Sequence, residues 1–584
     1  MTSKGFLRYT LPMFRWIKDG RLGPWKDRLR KERQEESPWR RLTADRDQLT
    51  RVGFTALTVL GCALLAVWWG PPMTFRVGEV LPRDLRARVD FEVVNQVEQA
   101  KQNAAVDPRL NTDPPLVDRY LRRTVLVPRG EPIQDRQLSI LQEEHSAYLK
   151  SVSVGERASR GAALVLMFGL LSISIGLYVV RFQVGLAESS QAVAGVAILV
   201  LLTLSLGLIL DQSPWHAVLL PLTMTAMVLT LAYNPQFALV MSFAVTLTIN
   251  LMASGSVEKI LVQLGGQATA ILLMRTVRSR MQLVRTAAMA GGAYAAMTLA
   301  SGVLTGQTWS FIAADMFRHC LWGVCSGFVL TGLLPIVERA FGVVTDISLL
   351  ELADGTHPLM QELVKRAPGT YTHSLTVASL AESAAEAIGA NPLLARVGSC
   401  FHDVGKLLKP QYFIENQQGE NRHESLEPGL STLVIIGHVK DGVALAEQYR
   451  LPQPIVAAIA QHHGTTLVEY FYREALKLQA SLGQSGDLEP CFRYPGPKPQ
   501  CPETAIIMLA DAAESTSRSM SNPTPASLGK MVHDLLMKRL LDGQFEESGL
   551  TLTDLHLIEE SLSKSLIALF HARIKYPEPQ SKAA

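Results

Sequence analysis

The chain has 584 residues, enough for more than one domain, and 48 % of them are hydrophobic. A formal net charge of +3 is too small to point to a nucleic-acid polymer as partner. The six cysteines do not form a disulfide pattern: Cys62, Cys320 and Cys325 lie in apolar segments, Cys400 abuts the stretch FHDVGK, and Cys491 and Cys501 fall in a Pro/Gly-rich loop. That usage fits a reduced, cytosolic face for the C-terminal part.

Residues 1–51 are a basic N-terminal segment containing WKDRLRKERQ. Residues 52–70 (VGFTALTVLGCALLAVWWG) are long and apolar enough for a membrane helix and start too far along the chain for a usual cleaved signal peptide, so they read as an uncleaved anchor. Residues 71–160 mix strand-like and helical patterns (VDFEVVNQVEQAKQNAAV, RRTVLVPRGEPI) and are expected to form a small external α+β unit, the alternative being a spacer.

Seven further spans are expected within 161–338: Ala162–Val180, Ala192–Leu210, Ala217–Tyr233, Phe237–Met252, Glu258–Met274, Ala287–Leu304 and Cys320–Val337. With a cytosolic N-terminus, eight crossings return the C-terminal domain to the cytosol. The same parity puts the most basic loop, RTVRSRMQLVR (275–285), inside. The expected location is therefore the inner (plasma) membrane, multi-pass, with both termini cytosolic. Residues 339–357 are expected to be a linker helix, 358–575 an all-α soluble domain with apolar positions at intervals of three and four, and 576–584 a tail. There is no internal repeat.

Onto the helical scaffold beyond residue 358 falls an ordered set of potential ligands: His373 in GTYTHSL, His402 and Asp403 in FHDVGK, His438 in IIGHVKDG, His462 and His463 in QHHGTT, and Asp511 in MLADAAE. A lone histidine on a helix is ordinarily a satisfied core or surface residue, and His533–Asp534 in VHDLLMK is an adjacent pair of that ordinary kind. No zinc-finger or His-Glu-x-x-His spacing is present. The pattern is that of a helical bundle donating one or two ligands from each of several helices. Two metals close together need a bridging oxygen ligand, which a carboxylate supplies and an imidazole does not, and Asp403 is the natural bridge. Mixed N and O ligands suit manganese, iron or zinc. Such a metal pair can activate water near neutral pH and clamp the oxygens of an in-line phosphoryl displacement, with Lys406 neutralising phosphate charge.

The order His … His-Asp … His … His-His … Asp resembles the HD-domain metal-dependent phosphohydrolases. The stretches APGTYTHSL, FHDVGKL, IIGHVKDGV, QHHGTTLVEYFY and LADAAESTSRS resemble, more narrowly, the seven-transmembrane HD family. The likeness covers roughly residues 50–575. It implies a mostly α fold: a polytopic membrane helix bundle, an all-α cytosolic HD domain and a small α+β external segment. It further implies a cyclic di-AMP phosphodiesterase yielding 5′-pApA and using two divalent transition metals, manganese or iron. On this pattern His373, His402, Asp403 and Asp511 would bind one metal. His438, His462 and His463 would bind the other with Asp403 bridging, and His423, Thr465 and Thr466 would line the substrate groove. The alternatives are another nucleotide substrate, including cyclic di-GMP, and a non-catalytic nucleotide-binding receptor. The absence of a GYP signature after HHGTT counts against cyclic di-GMP. The implied partners are a cyclic dinucleotide and the lipid bilayer; a homodimer is compatible with the pattern. The external segment is short for the family.

Overall fold

The computed structural model describes residues 46–571 except 71–72, 74, 95–116, 213–214, 254, 275–276, 418, 420, 483–485 and 522. The basic cluster at 25–34, the tail 576–584 and the first residues of the 275–285 loop lie outside the described residues. Contacts divide the chain into two units, 1–225 with 240–264 and 296–316, and 226–239 with 265–295 and 317–584.

In the first unit, α1 (Arg46–Trp69) packs against α3 (Val154–Phe182) and α4 (Ser190–Leu210). Between α1 and α3 lies a folded unit rather than a spacer. Strands β1 (Leu85–Arg86) and β4 (Val125–Val127) pair antiparallel, as do β2 (Phe91–Val94) and β3 (Val117–Tyr120). Helix α2 (Asp135–Ser151) packs against β2 and β4. Its core is Ala87, Phe91, Leu126, Val127, Ile133 and Leu141. Glu144 is buried there and accepts from Arg88 Nη2 at 2.7 Å and from the Arg88 amide at 2.8 Å. The same unit ties Val80 to Gln307 by reciprocal 2.9 Å bonds and Arg76 to Asp315 at 2.8 Å.

The remaining span helices are α5 (Leu219–Ala232), α6 (Pro235–Ala253), α7 (Val257–Leu273), α8 (Arg280–Leu304) and α9 (Trp309–Phe341). All eight expected spans are helical, and six of them are long and apolar enough to cross a membrane. Helices α5 and α7 are shorter, at 14 and 17 residues. At 1.5 Å per residue they reach roughly 21 and 26 Å, against a hydrocarbon core of about 30 Å. Buried Gln263 and Gln267 lower the apolar content of α7, and Gln263 accepts from Asn250 at 2.6 Å.

The linker is not a single helix. Gly342 turns the chain at φ +64°, ending α9, and Glu338 accepts from the Thr345 amide and hydroxyl at 2.8 and 2.6 Å and from Ser348 Oγ at 2.7 Å. These bonds start the two-turn helix α10 (Asp346–Ala353).

The C-terminal domain is all helical: α11 (Pro358–Arg366), α12 (Pro368–Ile388), α13 (Pro392–Phe401), α14 (Pro428–Gln448), α15 (Gln453–Gln461), α16 (Glu469–Ser481), α17 (Pro502–Ser519), α18 (Pro525–Leu541) and α19 (Leu552–His571). Helix α14 matches a membrane span in length and composition. It packs against α15, α16 and the turn after α13, however, and it buries His438, so it is a core helix of this domain. Two apolar cores flank the candidate site. One is centred on α12, α17, α18 and α19, the other on α11, α13 and α15, and α12, α13 and α15 contribute to both.

Candidate metal centre

Five helices deliver the candidate ligands. His373 lies in the second turn of α12, His402 caps the C-terminus of α13, His438 is on α14, His462 caps α15 with His463 next to it, and Asp511 is on α17. Helix α13 begins where Asn391 Oδ1 accepts from the Leu394 amide and Pro392 supplies a fixed φ. It then tightens into a 3-10 turn, Val404–Leu408, and this turn explains the glycine of FHDVGK. A Cβ on Gly405 would run into the His438 carbonyl oxygen and lie 2.5 Å from the Gly442 nitrogen. Only glycine lets the turn press backbone to backbone on α14, which brings His438 beside Asp403.

Asp403 is the hub. Its Oδ2 lies 3.5 Å from His373 Nε2 and 3.3 Å from His402 Nε2, while its Oδ1 lies 3.3 Å from His438 Nε2 and 3.7 Å from His462 Nε2. Asp511 Oδ1 is 3.1 Å from His373 Nε2 and 3.8 Å from His402 Nε2, and its Oδ2 is 3.9 Å from His463 Nδ1. The ligand atoms of His373, His402 and Asp403 fall within 4.8 Å of one another, and so do those of His438, His462 and His463.

The chemistry of these atoms fits divalent metals. His402 Nε2 and Asp403 Oδ1 are buried with no hydrogen-bond partner among the described residues, while His373 Nε2 and Asp403 Oδ2 meet only charged groups of the centre, Asp511 at 3.1 Å and Lys406 at 2.6 Å. Leaving buried polar atoms dry and unpaired is costly unless something else binds them. The other ring nitrogens are committed: Nδ1 of His402, His438 and His462 meets the carbonyl three residues earlier, at Ser399, Ile435 and Ile459, at 2.6, 2.6 and 2.8 Å. A carbonyl only accepts, so each ring keeps a proton on Nδ1 and leaves Nε2 as the atom that faces the centre.

Charge is arranged accordingly. Burial opposes ionisation of Asp403, but His402 and Lys406 overcome it and hold the carboxyl well below its usual range; Asp511 is likewise depressed, through His373 and His402. Burial also opposes protonation of His373, yet its bonds to Asp511 and Glu514 push it up to about 9, and Asp403 pushes His402 up to about 10. On the other side, burial and the neighbouring imidazolium lower His462 to about 3, and burial lowers His438 and His463.

The other predicted residues take different places. Lys406 Nζ lies 2.6 Å from Asp403 Oδ2 and 3.0 Å from Glu415 Oε1, so its ammonium is engaged with two carboxylates. The Thr465 hydroxyl accepts from Gln544 Nε2 at 2.9 Å and the Thr466 hydroxyl donates to the His463 carbonyl at 2.8 Å, so both shape the turn after the His-His pair. His423 Nε2 bonds the Tyr412 carbonyl at 2.8 Å. It borders a cavity of about 490 Å³ between residues 421–428 and α16, where its ring lies 5.0 Å from that of Phe471.

Three residues were missed from sequence. Glu514 Oε2 takes the Nδ1 proton of His373 at 2.6 Å, Glu415 holds Lys406, and Tyr494 stacks on His463 with centroids 4.3 Å apart. For Glu514 a signal existed, since it lies one helical turn after Asp511 and so shares its face.

Residues 159–345 match the family model described as 7TM receptor with intracellular HD hydrolase, and residues 370–516 match the HD domain model. The chain belongs to the seven-transmembrane HD family. This makes it a multi-pass membrane protein whose C-terminal helices are an HD domain. It is 34 % identical to the cyclic-di-AMP phosphodiesterase PgpH of Bacillus subtilis (strain 168) over 439 residues, which are 72 % of this chain and 60 % of that protein. It is 37 % identical to the protein of the same name from Listeria monocytogenes serotype 1/2a over 369 residues, 62 % of this chain and 50 % of that one. The chain therefore spans half to three-fifths of the length of these relatives. A crystal structure of the L. monocytogenes PgpH HD domain in complex with cyclic-di-AMP is 43 % identical, with all of that chain and 38 % of this one covered at a TM-score of 0.35.

Proposed function

We propose that this seven-transmembrane HD protein is a membrane-bound phosphodiesterase that hydrolyses cyclic di-AMP to 5′-pApA at a binuclear metal centre. The observation that carries the reading is the division of Asp403, with one oxygen facing His373 and His402 and the other facing His438 and His462, all four contacts being buried. In this reading His373, His402, Asp403 and Asp511 hold one metal, and His438, His462 and His463 hold the second with Asp403 shared. Bound manganese or iron would supply an activated water and a positive clamp on the phosphoryl oxygens.

The protein's own groups orient and tune. Three backbone carbonyls and Glu514 orient four of the five imidazoles so that each presents Nε2. Lys406 keeps Asp403 ionised and adds positive charge beside the reacting phosphate. His423, Thr465 and Thr466 belong to the substrate side of the domain, the two threonines through the turn they shape. The choice of adenine follows the two relatives named for cyclic di-AMP. Both termini face the cytosol, and the external unit acts on the HD domain through α9 and the 339–357 segment.

The test uses the full chain in detergent, with manganese or ferrous iron, incubated with cyclic di-AMP or cyclic di-GMP beside an Asp403→Ala control. Release of 5′-pApA by the wild type and none by the control is expected. Bound metal with neither dinucleotide cut overturns the substrate, and turnover by Asp403→Ala overturns the bridging role.

A further inference from the structure

Arg539 has a side-chain nitrogen that no neighbouring group claims. It lies in the last turn of α18, whose core-facing stripe runs Leu528, Val532, Leu536. Three residues beyond Leu536, it falls on the same face as the stripe runs out. Its Nε is shut off from solvent and has no hydrogen-bond partner among the described residues. The carboxylates that act on it are Asp511, Asp542 and Glu469, and each is paired elsewhere: Asp511 with His373 at 3.1 Å, Asp542 with Arg493 at 2.8 Å, and Glu469 with Lys538. Burial pulls its pKa down, but a guanidinium stays charged at neutral pH.

The end of α18 is pinned to the loop that follows the His-His pair. Gln544 accepts from the Thr465 amide at 3.0 Å, Arg493 joins Asp542 to the Thr465 carbonyl, and Lys538 pairs with the first residue of α16. Arg539 sits between those anchors, and its charge reaches Tyr494, whose ring stacks on His463.

We propose that Arg539 receives the second phosphate of the substrate, the one that is not being cleaved. The inference rests on the cyclic-dinucleotide reading above. Such a substrate carries two phosphodiesters, and with one held at the candidate metal centre the other still brings a full negative charge out of water. Lys406 is engaged with Asp403 and Glu415 on the reacting side. Arg539 offers a planar fork of N–H donors whose Nε is unclaimed, the geometry that binds phosphate oxygens in pairs.

The competing role is a structural counter-charge for Asp511, and a binding experiment separates the two. The probes are 5′-pApA, which keeps the second phosphate, and AMP, which lacks it. Both are titrated against the full chain in detergent with manganese, as wild type, Arg539→Gln and Arg539→Lys, beside thermal melts and metal content. Arg539→Gln is expected to weaken 5′-pApA by roughly tenfold or more and AMP by no more than about twofold, with Arg539→Lys between wild type and Gln. Equal weakening of both probes, or unchanged 5′-pApA binding, overturns the proposal; if Arg539→Gln does not fold, the Lys variant is judged by the same ratio. Failure of the underlying reading shows elsewhere, as a metal-loaded wild type that binds AMP but not 5′-pApA.

Discussion

Replacing Gly405 by alanine is the most informative single change to the centre. The added Cβ would overlap the His438 carbonyl oxygen and stand 2.5 Å from the Gly442 nitrogen and 2.8 Å from the His438 carbonyl carbon, where ordinary contact begins at 3.4 Å. All three are backbone atoms, so no side chain can swing away, and the 404–408 turn must part from α14 by roughly an ångström. Overpacking of this kind costs about 1–3 kcal/mol of stability. The larger effect falls on the site, because the displaced turn follows directly on Asp403 and the displaced helix carries His438. A misplacement of about 1 Å can cost on the order of a hundredfold in rate. The control is Gly437→Ala, one residue from His438 on the same helix, where a Cβ meets nothing within 4 Å. On the proposed function, metal content after purification, manganese affinity and cyclic di-AMP turnover should collapse in Gly405→Ala and persist in Gly437→Ala. A Gly405→Ala protein that keeps wild-type metal affinity would refute the close approach as the reason for this glycine.

Glu514→Gln, which removes the charged partner of His373 but keeps its shape, should lower metal affinity by roughly 10- to 100-fold while the thermal melt of the metal-free protein changes little in character; undiminished affinity by titration calorimetry would count against the role. In the metal-free chain the raised pKa values of His373 and His402 stabilise fully below about 6.5 and are lost as pH rises through about 9 to 10, whereas His462, lowered to about 3, stabilises above about 6.5 and is lost on acidification. Melting temperature without metal should therefore peak near pH 6.5, and manganese affinity should climb from there toward pH 9 as protons leave His373 and His402; a flat affinity profile would show that those protons are not displaced. In the α/β unit between α1 and α3, Arg88→Ala strands the buried Glu144 carboxylate, while Glu144→Ala leaves only a half-exposed guanidinium. Limited proteolysis of the 76–160 region should accelerate more for Arg88→Ala, and the reverse order would refute the assigned burial.

The seven candidate ligands were legible because each carries its chemistry in its residue type and the helices between them keep a 3.6-residue period. What the sequence hides is commitment. Nothing in QHHGTT shows that Thr465 is occupied by Gln544, nearly eighty positions later, or that Lys406 divides itself between Asp403 and Glu415. The reason for Gly405 is equally invisible, since it lies in the backbone of another helix. Span ends are less sharply written: apolar runs mark Ala217–Tyr233 well, but the helix there begins at Leu219 and stops at Ala232. Hydropathy alone would have gone wrong again at α14, whose greasy run serves a water-soluble core. The polar ligand positions spaced along the later helices kept that segment in the soluble domain.

Three of the five imidazoles are held by main-chain carbonyls, at Ser399, Ile435 and Ile459. No side-chain substitution at those positions removes a carbonyl, so their orientation is buffered against mutational drift. His373 has no such insurance, because its proton goes to a side chain, Glu514. In the proposed binuclear reading, the two metal positions therefore differ in heritable fragility. A lineage losing turnover through a change outside the ligands themselves would lose it first at position 514, keeping an intact His438–His462–His463 cluster as the relic of the pair.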